Sequence, residues 1–121
     1  MAYTPPMPKV SLRDDFPAAD RVALIAAVRE AVGTRGHVAF GLRASAIVHF
    51  PEGRRGREPM TWQTTIADRD VDVLVCDPAT LRPLAAAASD DEVRKLLNAA
   101  GLPTVDISTN TAAELAAKMP G

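Results

Sequence analysis

The sequence predicts a mixed α/β (α+β) domain in which helices pack against a central mixed β-sheet. Apolar residues recur with helical spacing over 17–32, and the period changes to strand-like alternation from position 38 onward. Further along, an almost uninterrupted apolar segment at 71–76 precedes two helix-start motifs, which a short apolar segment separates. The resulting order (a helix, several strands, then helix, strand and helix) is typical of a sheet covered by helices.

Length and composition indicate one globular domain. The chain has 121 residues, 47% of them apolar and 24% charged, and a chain of this size buries about two-thirds of its unfolded surface around one core. The segment 1–13 contains Pro5, Pro6 and Pro8 and no periodic pattern, which predicts a flexible N-terminal arm. The segment 14–121 then forms the single domain.

Composition also disfavours several classes of protein. The net charge of −1 gives no overall attraction to nucleic acid or acidic membranes, so such binding needs a local basic patch. No segment approaches the roughly 20 apolar residues of a membrane span, and positions 1–9 lack the apolar core of a signal peptide. We therefore expect a cytoplasmic protein that does not bind membranes.

The cysteine and histidine content indicates no metal site. Cys76 is the sole cysteine, which excludes an internal disulfide and a cysteine-based zinc site. Because Cys76 lies inside an apolar segment, we expect a buried, unreactive thiol. His37 and His49 have no third ligand at a recognisable spacing.

The first helix is predicted over 17–32. Leu24, Ile25, Val28 and Val32 fall on one apolar stripe, which suits a helix packed against a sheet. Gly33 follows directly and supplies the left-handed residue with which many helices end.

Three strand-like segments follow this helix. Val38, Phe40 and Leu42 alternate along the first, and residues 46–50 form the second. Alternation over 60–66 marks the third, with Trp62 on its apolar face. The intervening residues 51–59 carry two glycines between flanking prolines, which predicts a hairpin loop.

The most apolar strand, at 71–76, contains one acid, Asp72. A buried carboxylate is costly unless it is paired, protonated or bound to metal. Asp72 is therefore the first candidate for a functional residue.

The C-terminal part is predicted to be helix, strand and helix. Ser89 to Glu92 form a capping box, and the helix that it opens stops at Gly101. A short buried strand follows over 104–108, and a second capping box at 111–114 opens a final helix that buries Leu115 and Met119.

Three segments are distinctive as an ordered set: Val-Asp-Val-Leu-Val-Cys-Asp at 71–77, Thr-Leu-Arg-Pro-Leu-Ala at 80–85 and Ala-Ala-Gly-Leu-Pro at 99–103. Together they resemble the small bacterial restriction-endonuclease-like domains of unknown function, which share a nuclease-related, very-short-patch-repair-like pattern. The resemblance extends more weakly to the first helix and the first strands. It implies a restriction-endonuclease-like core over 14–121.

The resemblance also assigns roles to single residues. In the family, an aspartate lies in a hydrophobic-Asp-hydrophobic strand, and a Thr-Leu-x-Pro hairpin leads into a strand that ends in Ile-Glu-Leu-Asp. Asp72 matches the metal-binding aspartate, Ala88 stands where the family has glutamate, and Asp90 replaces the lysine expected two residues further on. The family's insertion after the acidic pair is missing as well. Because hydrolysis needs magnesium held by carboxylates, the resemblance implies an inactive nuclease with no metal and no cofactor.

Asp72 and Asp90 are thus vestigial catalytic candidates with two interpretations. In the first, Asp72 is hydrogen-bonded to a backbone amide or an arginine, and Asp90 is a first-turn acid favoured by the helix dipole. In the second, Asp72 and Asp90 form a displaced site that binds Mg²⁺.

The assignment of Ala88 requires 83–88 to be a strand. The alanines of this segment have high helix propensity, whereas the resemblance implies a strand that begins at Pro83. We favour the strand, since propensity yields to tertiary context.

Arg54, Arg55 and Arg57 form the one concentrated basic patch, with Glu52 and Glu58 beside it. Either they are a solvated loop tip, or they contact nucleic-acid phosphates. The sequence therefore predicts a catalytically inactive nuclease-like domain that binds nucleic acid or a protein partner. The alternatives are a small regulatory protein without a nucleic-acid role and a metal-dependent nuclease with a displaced acid.

Overall fold

A computed structural model describes residues 4–48, 66 and 68–119. Its helices are Ala19–Val32 (α1), Ala44–Ile47 (α2), Asp91–Ala99 (α3) and Thr111–Lys118 (α4), and a single 3-10 turn at Gly33–Arg35 follows α1. Its strands are His37–Arg43 (β1), Asp70–Cys76 (β2), Pro83–Ala87 (β3) and Thr104–Val105 (β4). Residues 4–13 are exposed and have no helix or strand. The predicted loop at 51–59 and most of the predicted strand at 60–66 lie outside the described residues.

The described strands form one mixed sheet in the order β1-β2-β3-β4. β1 with β2 and β2 with β3 are antiparallel, whereas β4 is parallel to β3 and is reached through α3. Helices flank this sheet, which confirms the predicted mixed α/β class. No helix in the described part of the chain is both long and apolar enough to cross a membrane.

The alanine-rich segment is a strand, as predicted. β3 spans Pro83–Ala87, and Ala85, Ala86, Ala87 and Ala88 are all fully buried. The strand is paired on both sides, with β2 and with β4. Tertiary pairing has therefore overridden the helix propensity of alanine, which is a weak local preference.

Two apolar clusters lie against the sheet. The first joins the buried stripe of α1 (Ile25, Val28 and Val32) and Leu115 of α4 to Val73 and Val75 of β2. The second joins Val93 and Leu97 of α3 to Val71 and Leu74 of β2 and to Ala86 and Ala88. The helices thus pack against the sheet through two separate apolar cores.

The direction of the side chains reverses within β1 and β2. Residues two apart on a strand normally share a face, yet Val73 packs in the first cluster and Val71 in the second. Phe40 and Leu42, which pair with them, divide in the same way. Gly41, at the centre of the reversal, has φ +75°, a left-handed conformation that residues with a side chain rarely adopt. The register sets Gly41 opposite Asp72, so the distortion lies at the candidate site.

Two predicted strands are wrong in whole or in part. Residues 46–50 were expected to be a strand, but Ala44–Ile47 forms a helical turn, and 49–50 lie outside the described residues. The predicted strand at 104–108 is reduced to Thr104–Val105. Beyond it, the Asp106 carboxylate accepts hydrogen bonds from Arg94 and from the backbone amide of Ile107.

Both predicted helix caps are displaced by one residue. Asp90, not Ser89, caps α3, because its carboxylate accepts the amides of Glu92 and Val93. At α4 the cap position is Asn110, and the Thr111 hydroxyl instead bonds to the backbone of Ser108. The predicted burial of Leu115 and Met119 is confirmed.

Candidate functional site

Asp72 is a buried acid with both carboxylate oxygens engaged. The residue is only 8% exposed. Its Oδ1 lies 2.6 Å from Nη2 of Arg21, and its Oδ2 accepts the backbone N–H of Ser89 at 2.7 Å. The interpretation in which Asp72 bonds to a backbone amide or an arginine is met by both partners at once.

Three elements bring these groups together. Asp72 lies near the start of β2, Arg21 in the first turn of α1, and Ser89 in the link from β3 to α3. The reversal at Gly41 turns the Asp72 side chain toward α1, away from the cluster that holds Val71. The ion pair therefore joins α1 to the centre of the sheet.

A cleft of about 280 Å³ opens beside Asp72. Its walls include Arg13, Asp15, Phe16, Phe40 and Asp70, together with Arg21 and Gly41. The rings of Phe16 and Phe40 stack with centroids 6.4 Å apart, which holds the segment before α1 over β1. This volume lies just below the usual range of small-molecule pockets, about 300–1,000 Å³.

Arg13 and Asp15, which also line the cleft, form a second ion pair. Arg13 Nη2 lies 2.9 Å from Oδ2 of Asp15, and this hydrogen bond lowers the pKa of the Asp15 carboxyl. Both side chains are exposed, so the pair contributes little to stability.

The side chain of Ala88 packs away from the Asp72–Arg21 pair. Val73 pairs with Ala87 and Leu74 with Ala86, and Ala88 follows at the end of β3. Ala88 is fully buried in the second cluster, beside Val93 and Leu97. The position assigned to the family's glutamate is thus filled by a methyl group that completes an apolar core.

Asp90 is engaged elsewhere, at the start of α3. Its Oδ1 accepts the amides of Glu92 at 2.8 Å and Val93 at 3.1 Å, and Arg69 Nη1 lies 3.1 Å from Oδ2. Desolvation by burial raises the pKa of Asp90, but the Val93 and Glu92 amides and the charge of Arg69 outweigh it and hold the pKa below its ordinary value. Asp90 is therefore committed to the helix start.

The residues around Asp72 do not fit a magnesium ion. Magnesium is usually held through carboxylates, and here Asp72 is bound by a guanidinium, the Ala88 side chain has no oxygen, and Asp90 has its own partners. Within 4–48, 66 and 68–119, no three His, Cys, Asp or Glu residues lie in a group suited to a metal. The displaced-acid interpretation has no geometric support in this part of the chain.

Two arginines with structural roles, Arg94 and Arg21, were not predicted from the sequence. Arg94 donates to the carbonyls of Ala88 and Ser89, both at 2.9 Å, and to the Asp106 carboxylate at 3.0 Å, so it fixes the link from β3 to α3. The sequence does contain one indication for Arg21. It lies in the first turn of a helix, where the dipole disfavours cations, so a partner elsewhere could have been expected.

The remaining candidates are placed as follows. Cys76 is buried, and desolvation raises the pKa of its thiol, which suits the predicted unreactive role. His37 is exposed at the start of β1. The basic patch (Arg54, Arg55 and Arg57), His49 and Trp62 lie outside the described residues.

Comparison of the chain with protein-family models, with curated proteins and with solved structures returns no match. The restriction-endonuclease-like resemblance therefore rests on the ordered segments of the sequence and stays a prediction.

Proposed function

We propose that the chain is a nuclease-like domain that lacks phosphodiester hydrolysis and acts as a nucleic-acid-binding module. One observation carries the proposal: both Asp72 oxygens are bound by protein groups, and Ala88, the position that the resemblance assigns to the second acid, has an apolar side chain. The order of elements gives further support, since an Asp-bearing strand, a Thr-Leu-x-Pro turn, a strand, a helix and a last strand follow one another as the resemblance implies.

The loss of hydrolysis follows from the ligands that remain. Metal-dependent cleavage needs a cation that binds the attacking water and offsets the developing charge on phosphorus. Asp72 already carries a guanidinium at ion-pair distance, and a metal would have to displace it. Among the described residues, no second acid joins Asp72 in a group suited to a metal.

Nucleic-acid binding is proposed from the basic patch at Arg54, Arg55 and Arg57. Because the whole chain has a net charge of −1, long-range attraction contributes little, and these side chains have to supply the phosphate contacts. We expect binding that does not depend on sequence and weakens steeply with salt.

The first test is cleavage of single- and double-stranded DNA and RNA in the presence of Mg²⁺ or Mn²⁺. We expect no products from the wild type beyond those of an Asp72→Ala variant prepared in parallel. Metal-dependent cleavage that disappears in Asp72→Ala would overturn the proposal of an inactive domain.

The second test is a salt titration of binding to fluorescent DNA and RNA, followed by anisotropy. Changing Arg54, Arg55 and Arg57 to alanine is expected to reduce the slope of log affinity against log salt by about 2 to 3, roughly one for each lost phosphate contact. The matched control changes three exposed arginines elsewhere, Arg29, Arg35 and Arg82, which alters the net charge equally. Equal effects of the two triple variants would exclude a local patch.

A protein-binding role without nucleic acid is the second candidate. It is favoured by the N-terminal segment, which exposes Met7, Val10 and Leu12 by 81%, 74% and 94%. Exposed apolar side chains that are grouped in one segment are typical of a surface that contacts a partner. Absence of any nucleic-acid binding at low salt would leave this candidate in place of the first.

A further inference from the structure

We propose that the cleft between the N-terminal segment and β1 holds one unpaired base of a single-stranded nucleic acid, stacked on the ring of Phe16. The site rests on the proposed function and deepens it, because it names the form of nucleic acid that the domain binds. Two observations carry it: an exposed aromatic ring in the wall of the cleft, and a carboxylate beside it that has no cation.

The aromatic surface of the cleft faces water. Phe16 and Phe40 both line the cleft, and Phe16 is 67% exposed although its ring stacks on that of Phe40. Phe40 belongs to β1, so the stack holds the Phe16 ring against the sheet. An exposed aromatic ring that is held in place is the kind of surface on which bases stack, since every base has a π-face.

The charged groups of the cleft favour a neutral ring with N–H donors over a phosphate. Arg13 pairs with Asp15 and Arg21 with Asp72, so these four charges compensate one another. Asp70 is the fifth charged residue in the wall, and in the described part of the chain it forms no ion pair. A lone carboxylate repels phosphate and accepts hydrogen bonds from the amino group of a base.

Asp70 is also accessible to a ligand. It is exposed at the first residue of β2, and the register sets it opposite Arg43. The Arg43 guanidinium lies 3.6 Å from Asp68 instead. Cytosine carries an amino group that aspartate can accept, whereas thymine carries none. We therefore expect the cleft to add a preference for amino-bearing bases to the sequence-independent phosphate contacts of the basic patch.

The size and rim of the cleft fit a base whose phosphate stays outside. Its volume of about 280 Å³ lies just below the range of whole small-molecule pockets, which suits one base without the rest of a nucleotide. At the rim, Arg13 binds Asp15 through Nε and Nη2, and its side chain is 77% exposed, so Nη1 is left for a flanking phosphate. A base in a duplex would first have to leave the stack, which is costly. The cleft thus favours single strands.

The test measures binding of short fluorescent oligo-dC, oligo-dT and duplex DNA by anisotropy at low salt. The wild type is expected to bind oligo-dC most tightly. Phe16→Leu keeps an apolar side chain without a ring face and should weaken oligo-dC binding about tenfold, whereas Phe16→Trp should retain it. Duplex binding should be the same in all three proteins, because it uses phosphate contacts alone.

A second variant tests the carboxylate. Asp70→Ala should weaken binding of oligo-dC but not of oligo-dT, because only cytosine loses a hydrogen bond. Asp14→Ala is the matched control, since it removes an equal charge from an exposed residue outside the wall of the cleft. A purely electrostatic role of Asp70 would instead strengthen the binding of both oligonucleotides, as the loss of any negative charge would.

Three results would overturn the inference: equal affinity of the wild type for oligo-dC and duplex, unchanged oligo-dC binding in Phe16→Leu, or stronger binding of both oligonucleotides by Asp70→Ala. A tetra-arginine peptide, titrated in parallel, tests the cleft as a cation site. Dependence of its binding on Phe16 and Asp70, without such dependence for oligo-dC, would also overturn the inference.

Failure of the inference is distinguishable from failure of the proposed function. A wild type that binds no nucleic acid removes both. A wild type that binds nucleic acid as tightly as Phe16→Leu does removes only the base site and leaves the basic patch as the source of binding. Circular dichroism of each variant shows whether it is folded, and Phe16→Trp and Asp70→Ala keep the test decisive if Phe16→Leu is not.

Discussion

Two aspartate–arginine pairs flank the link from β3 to α3, and they differ mainly in burial. In the Asp72–Arg21 pair the side chains are 9% and 32% exposed, whereas in the Asp90–Arg69 pair they are 32% and 38% exposed. Asp90 also accepts two backbone amides and retains contact with water. An aspartate–arginine pair therefore compensates a buried acid at Asp72, whereas at Asp90 it lies beside the cap of a helix.

The comparison explains why the two vestigial candidates do not form one site. Asp72 is tied to α1, and Asp90 is tied to its own helix and to Arg69. A shared metal would have to break both arrangements, and the buried one is the more expensive to break.

The largest expected effect is an asymmetry within the buried pair. Arg21→Gln leaves a buried carboxylate without a cation and should lower the free energy of unfolding by about 3–5 kcal/mol. Asp72→Asn leaves Arg21, which can reach water, and should lower it by only about 1–3 kcal/mol. Urea denaturation at neutral pH measures both. Equal losses would show that the pair, and not the burial of Asp72, sets the effect.

A smaller effect is expected at the helix start. Asp90→Ala removes the cap of α3 and should lower the free energy of unfolding by about 1 kcal/mol. Asp90→Asn keeps a capping oxygen and loses only the charge beside Arg69, so it should lose less. If Asp90→Asn lowered the free energy of unfolding as much as Asp90→Ala, the ion pair with Arg69, and not the cap, would stabilise this turn.

The pH dependence of stability provides a separate check of Asp90. Its pKa is depressed in the folded state, so its contribution is fully present above the unfolded value of about 3.9 and is lost as the pH falls through the folded pKa. Asp90→Asn should therefore flatten the decline in unfolding free energy below about pH 5. Parallel curves for wild type and Asp90→Asn would contradict the depressed pKa.

The smallest effect on the free energy of unfolding is expected at an exposed ion pair. Lys95 and Asp91 form an exposed i,i+4 pair at 3.4 Å, with side chains 71% and 65% exposed. Lys95→Met should change the free energy of unfolding by less than about 0.5 kcal/mol. A larger change here would mean that exposure does not rank the ion pairs of this protein.

Local pattern was enough for the elements that are both periodic and buried. α1 and β1 were predicted from the spacing of their apolar residues and β2 from its almost uninterrupted apolar segment, because burial removes such residues from water. The pattern failed at 46–50, where Ala44–Ile47 forms a helical turn, and at 104–108, where the strand ends at Val105 and Asp106 bonds to Arg94. Cap positions failed by one residue, since Ser89 and Asp90 are both good caps and only geometry chooses between them.

Within the candidate site, the sequence marked Asp72 by itself, because an acid inside an apolar strand must be compensated. Ala88 and Asp90 were singled out only through the proposed resemblance, as departures from the pattern of restriction-endonuclease-like domains. Only the tertiary structure decided which group compensates Asp72, since Arg21 and Ser89 lie far from it along the chain and meet it through the packing of α1 and β3 on β2. Periodicity reports which face of an element is buried, whereas the partner of a buried charge depends on which elements that packing brings together.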